Sequence, residues 1–78
     1  MLCKVMINKQ KTGEIIRRQI QRLGVSYDDL AEKLELASAR VIYEWVNGHK
    51  MPSIENLINL SIQFQSKLED ILVVEGIL

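Results

Sequence analysis

Histidine and cysteine each occur once in this 78-residue sequence, as His49 and Cys3. Neither has a His or Cys partner at metal-ligand spacing. The chain also lacks a G-x-S-x-G element, a glycine-rich phosphate loop and paired carboxylates in a recognisable cleft. The sequence therefore points to no enzyme, no metal site and no cofactor, and Cys3 reads as an incidental thiol. The side chains able to do chemistry are of another kind: Ser38, Ala39, Arg40, Tyr43 and Glu44, followed by Asn47, His49 and Lys50. A guanidinium can donate to both O6 and N7 of guanine, a carboxylate can accept from cytosine N4, and an alanine methyl can touch the methyl of thymine. Asn47, His49 and Lys50, together with Tyr27, suit phosphate oxygens.

Such groups read a duplex only when a helix holds them outward, and the apolar spacing supplies helices. Thr12 is placed to cap a first helix whose inner stripe is Ile16, Ile20 and Leu23 before Gly24 stops it. Ser26 with Asp29 forms a capping box, and Tyr27, Leu30, Ala31 and Leu34 follow on one face of a second helix. Glu35-Leu36-Ala37 separates it from Ser38, the cap of a short third helix with Val41, Ile42, Trp45 and Val46 inside and Asn47-Gly48 as its end. Met51-Pro52-Ser53 opens a fourth helix, with Ile54, Leu57, Ile58 and Ser61 on one face and Phe64 completing it. A shorter fifth helix runs from about Ser66 to Leu72. From Met1 to Ile7 the pattern alternates, as an edge strand, a dimer strand or a disordered tail would.

Two helices joined by about three residues, the second short, form the geometry that projects one helix into the major groove of DNA. Only the first turn of that helix reaches base edges, which singles out Arg40, because Val41 and Ile42 behind it face the core. Trp45 falls on the Val41/Ile42 stripe and reads as core. Two readings fit Glu44: a base acceptor, or an ion-pair partner of Arg40 four residues earlier.

Composition agrees with a small folded domain: 47% of residues are apolar, 26% are charged and the net charge is zero. Residues 1–22 carry Lys4, Lys9, Lys11, Arg17, Arg18 and Arg22 against Glu14 alone, and the rest of the chain is net acidic. A basic face can then meet phosphate while an acidic one faces solvent. No apolar run is long enough to span a bilayer and no leader opens the chain, so a cytosolic, single-domain protein is expected. The expected division is a basic N-terminal arm (1–11), a helix-turn-helix domain (12–73) and an apolar tail (74–78).

The stretch from Thr12 to Val73 resembles the XRE family, the DNA-binding domains of lambdoid phage Cro and repressor proteins and their bacterial relatives. The motifs that carry the resemblance are TGEII, GVSYDDLAEKL, VIYEWVNG, MPSIENLINLS and DILV. It implies an all-α, five-helix, lambda-repressor-like bundle in which helices two and three form the helix-turn-helix. It also implies that Ala39, Arg40, Tyr43 and Glu44 occupy base-contacting positions, with Ser38 beside phosphate. The sequence departs from the pattern at Glu35-Leu36-Ala37, a turn one residue longer and without the usual glycine. It departs again at Gln19-Ile20, where many relatives have Leu-Arg, leaving Arg17 or Arg18 to supply the phosphate contact.

The implied partner is double-stranded DNA, bound by a repressor acting as a symmetric homodimer. The ending Ile71-Leu72-Val73-Val74 with Ile77-Leu78 motivates the dimer, through helix five and the tail. The rival reading is a protein-interaction module with a protein partner, such as the antitoxin half of a toxin–antitoxin pair. No membrane partner is expected.

Overall fold

The structure, a computed structural model, describes residues 4–77. Met1, Leu2, Cys3 and Leu78 lie outside them, and with them part of the alternating N-terminal pattern and the end of the tail. The order is β1 (Lys4–Ile7), α1 (Lys9–Leu23), α2 (Tyr27–Lys33), α3 (Arg40–Val46), α4 (Ile54–Phe64), α5 (Leu68–Ile71) and β2 (Val74–Ile77). The fold is the expected five-helix bundle, with one addition: β1 and β2 pair antiparallel, Ile7 opposite Val74 and Lys4 opposite Ile77.

That pairing changes how α1 begins. Asn8, not Thr12, is the N-cap, and its side chain accepts from the Lys11 N–H at 2.9 Å. Thr12 is fully buried, and its hydroxyl accepts from the Val73 N–H at 3.0 Å. The Asn8 N–H donates to the Val73 carbonyl at 2.7 Å, and the Asn8 amide donates to Glu75 at 2.6 Å. A threonine that looks like a cap is thus an interior anchor for the far end of the chain. The bond is part-buried, and its loss would cost about 0.5–1.5 kcal/mol.

The core is built from Ile16, Ile20, Leu30, Ala31, Leu34, Ile42, Trp45, Val46, Leu57, Leu60, Phe64 and Ile71. Trp45 is a core residue, as its stripe implied. Ile71 is completely buried and Leu72 and Val73 are half-buried, so much of the apolar ending packs inside its own chain. Two expected inner faces need correction. Leu23 is outside the core, 38% accessible at the end of α1, where Arg22 reaches across to donate to the Phe64 carbonyl at 2.8 Å. On α4 the buried face is Leu57, Leu60 and Phe64, while Ile54 and Ile58 point outward with Ile62. Both stripes have helical spacing, so periodicity alone cannot choose between them.

Three helices end in the same way. After α2, the Leu36 N–H bonds the Ala31 carbonyl at 2.9 Å and the Glu35 N–H bonds Glu32 at 3.1 Å, a Schellman closure with Glu35 at φ 56°. The turn that lacked glycine therefore keeps the conformation glycine favours, and half-buried Leu36 tucks against the core. α3 closes through Gly48 (φ 74°) and α4 through Gln65 (φ 53°). Left-handed backbone costs a side-chain-bearing residue about 1–2 kcal/mol, part of which glycine returns through unfolded-state entropy. Glu35→Gly is accordingly expected to stabilise the fold by about 0.5–1 kcal/mol. Chemical denaturation reads this as a raised midpoint at constant slope, and a lowered midpoint would show that the Glu35 side chain does something the turn needs.

Candidate nucleic-acid interface

The site is best built from its support. α2 starts at Ser26, whose hydroxyl accepts from the Asp29 N–H at 3.0 Å, as the capping pattern predicted. α2 buries Leu30 and Ala31, and small Ala31 permits the close approach of α3. α3 buries Ile42, Trp45 and Val46, with Val41 half-buried. What remains outside on α3 is Arg40, Tyr43 and Asn47, with Glu44 half-buried. Ser38 is exposed just ahead of them. It does not occupy the N-cap position, which falls to Ala39, but its hydroxyl accepts from the Arg40 N–H at 3.3 Å and so covers one free donor of the first turn. Ala39 is half-buried and packs against the core.

Behind α3, α1 crosses closely. A Cβ on Gly13 would overlap the Trp45 carbonyl oxygen and stand 2.8 Å from that of Val46. A Cβ on Gly48 would lie 2.9 Å from the Gln10 Cα. Two glycines thus fix the C-terminal end of α3 against the first turns of α1, and its outward residues sit on a braced rod.

The expected site residues gather in two pairs. The Tyr27 and Tyr43 rings stand 4.6 Å apart at 57°, joining α2 to the outer face of α3. Tyr27 is half-buried and Tyr43 exposed. The other pair corrects the sequence reading of Glu44: its carboxylate lies 3.3 Å from the Lys50 ammonium, and its ion-pair partner is Lys50, not Arg40. The backbone explains why. The left-handed turn at Gly48 carries the His49 and Lys50 N–H groups onto the Glu44 carbonyl, at 3.0 and 3.2 Å, so Lys50 folds back over the end of α3. Six residues apart is not a helix-neighbour spacing; the signal lay in Asn47-Gly48. His49 and Asn47 are exposed in the same turn. Arg17 and Arg18 are exposed on α1, and among the described residues no hydrogen bond or ion pair links them to the α3 group. Nor do any three His, Cys, Asp or Glu side chains gather to hold a metal ion among the described residues. None of the described helices is long and apolar enough to cross a membrane.

A braced short helix with arginine and tyrosine outermost and a half-buried carboxylate beside them, entered through a turn from a capped helix, is what a helix-turn-helix domain presents. Comparison with known proteins agrees. The helix-turn-helix family model matches residues 16–71, most of the chain, and the chain belongs to that family, in the XRE branch its motifs resemble. The crystal structure of the DNA-binding domain of BldD superposes with a TM-score of 0.71 at 18% identity, covering 85% of this chain and 94% of that one. That likeness is one of fold. No curated protein sequence matches the chain.

Proposed function

We propose that this chain is a sequence-specific transcription regulator that sets α3 in the major groove of double-stranded DNA and works as a symmetric dimer, repressing by occupying its operator. The observation that carries the reading is the outer face of α3: exposed Arg40 and Tyr43 beside Glu44 on a helix fixed from behind by α1 and α2. In this arrangement Arg40 bonds a guanine edge, Glu44 accepts from cytosine, and Ala39 and Tyr43 lie against neighbouring bases. Ser38, Tyr27, Asn47, His49, Lys50 and the α1 arginines Arg17 and Arg18 meet phosphate.

The test is selection of bound duplexes from random sequence, followed by binding measurements across salt concentrations. Phosphate contacts release counterions, so with about six of them affinity is expected to fall on the order of a thousandfold between 50 and 200 mM salt. Because Lys4–Ile7 is a strand and Asn8 caps α1, deleting residues 1–10 would remove structure as well as charge. Lys9→Gln combined with Lys11→Gln is the cleaner variant. A shallower salt slope places these lysines near phosphate, and an unchanged slope and affinity remove them from the interface.

A second reading, a protein-interaction module such as an antitoxin, draws on one observation: Ile54, Ile58 and Ile62 form an exposed stripe along α4, 74%, 44% and 64% accessible. Enrichment of no duplex over the starting pool would favour it.

A further inference from the structure

The β1–β2 ribbon has a free edge whose pattern fits itself. In an antiparallel ladder, residues that bond across the pair alternate with residues whose N–H and C=O point away. Asn8 bonds across to Val73, so the next pair, Ile7 and Val74, turns its backbone groups outward. Met6 and Glu75 turn inward, and Val5 and Gly76 outward again. Among the described residues, Val5 and Ile7 therefore present unpaired backbone groups along the outer edge of β1, in a sheet of two strands. Their side chains are 61% and 45% exposed, and Met6 between them is 50% exposed. A two-stranded ribbon is marginal by itself in water, and an open apolar edge is a template for another strand.

We infer that β1 pairs antiparallel with β1 of a second copy of this chain, about a twofold axis through Met6, giving a four-stranded sheet with order β2-β1-β1-β2. This specifies the interface of the dimer proposed above and rests on that reading. Three features choose this occupant and this edge. First, the register matches: with Met6 on the axis, Val5 of each copy faces Ile7 of the other, and the outward groups of both residues bond in pairs. Second, the faces match. Val5, Ile7 and Val74 lie on one side of the ribbon and become a continuous apolar face across the two copies, while Met6 meets Met6 on the other side. Third, the β2 edge is disfavoured. Its outward residues are Val74 and Gly76, and pairing them about a twofold axis sets Glu75 directly opposite Glu75, two like charges at close range. A β1 register centred on Ile7 would run into α1, which begins at Lys9. Antiparallel pairing about Met6 sends the two α1 helices away from opposite ends of the sheet.

Residues opposite each other in a non-hydrogen-bonded pair have Cβ atoms about 4.5–5.5 Å apart, close enough for a disulfide after small adjustment. In the 78-residue chain with Cys3→Ser, Met6→Cys is expected to cross-link to a covalent dimer under mild oxidation. Val5→Cys, whose opposite residue is Ile7, is expected to stay largely uncross-linked. In sedimentation, Val5→Pro, which removes an outward N–H of β1 without placing a charge beside Glu75, is expected to weaken the dimer at least tenfold while leaving the fold intact. A wild-type dimer in which Met6→Cys fails to cross-link, or cross-links no faster than Val5→Cys, overturns this interface and leaves the dimeric regulator standing. A chain that remains monomeric at high micromolar concentration and on DNA overturns both. Cross-linking at Met6 without selection of any duplex upholds the interface and overturns the DNA-reading proposal.

Discussion

Gly13→Ala is expected to lower the thermal unfolding midpoint by roughly 10 °C or more, although in most helices the same change stabilises. Alanine inside a helix is favoured over glycine by about 1 kcal/mol. Against that stands the methyl it adds, which meets the backbone carbonyls of Trp45 and Val46, the latter at 2.8 Å. Neither obstacle is a side-chain tip able to swing aside, so α1 must move away from α3. Overpacking costs about 1–3 kcal/mol, and with backbone carbonyls as the obstacles the cost falls at the upper end, about 3 kcal/mol, leaving a net loss of about 2 kcal/mol after the propensity gain. In a domain of this size each kcal/mol moves the midpoint by about 4–8 °C. Gly76→Ala, with nothing within 4 Å of the new methyl, is the control and should change little. A circular-dichroism melt of Gly13→Ala at or above the parent midpoint would show that α1 and α3 do not approach as closely as described. The consequence for function is direct, because Gly13 sets the distance between α1 and the end of the helix that carries Arg40.

How far the sequence revealed this arrangement depends on the range of the interactions involved. Ser26 and Ser53 announce α2 and α4 because a cap bonds an N–H three residues on, and the structure has both bonds. The Asn47-Gly48 ending of α3 is legible for the same reason. Thr12 misleads because its true partner, Val73, lies at the other end of the chain and no local pattern records it. The outward turn of Ile54 and Ile58 was hidden by a neighbouring stripe of equal quality, Leu57, Leu60 and Phe64, and only the position of α1 and α5 decides between them. The ribbon was half visible: alternation from Met1 to Ile7 suggested a strand, but its mate, Val74–Ile77, looked like an apolar tail. In the site, the residue types were readable and their pairings were not. Glu44 and Arg40 have ideal helical spacing for an ion pair, yet the turn at Gly48 delivers Lys50 to Glu44 instead.

That exchange of partners sharpens the expectation for Arg40, the residue on which sequence reading most depends. Arg40 is exposed at the start of α3, its backbone steadied by Ser38, and Glu44 is engaged with Lys50. If the guanidinium bonds a guanine in each half-site, Arg40→Ala should cost about 1–3 kcal/mol per half-site and relax preference at that base pair. Lys50→Ala should weaken all duplexes about equally and reduce the salt slope by about one per half-site. Glu44→Ala then separates two roles for the carboxylate. As a base acceptor, its loss relaxes one further position; as a holder of Lys50, its loss leaves preference intact and frees a cation to strengthen binding to every duplex. Stability should respond little in any of the three, since the Lys50 end of the ion pair stands in solvent and such pairs are worth about 0–1 kcal/mol. The measurement is competition binding of each variant at fixed salt against duplexes altered at single positions. An Arg40→Ala profile parallel to wild type at every position would mean that Arg40 contributes charge alone, and would place sequence discrimination on Tyr43, on Glu44 or in the shape of the DNA.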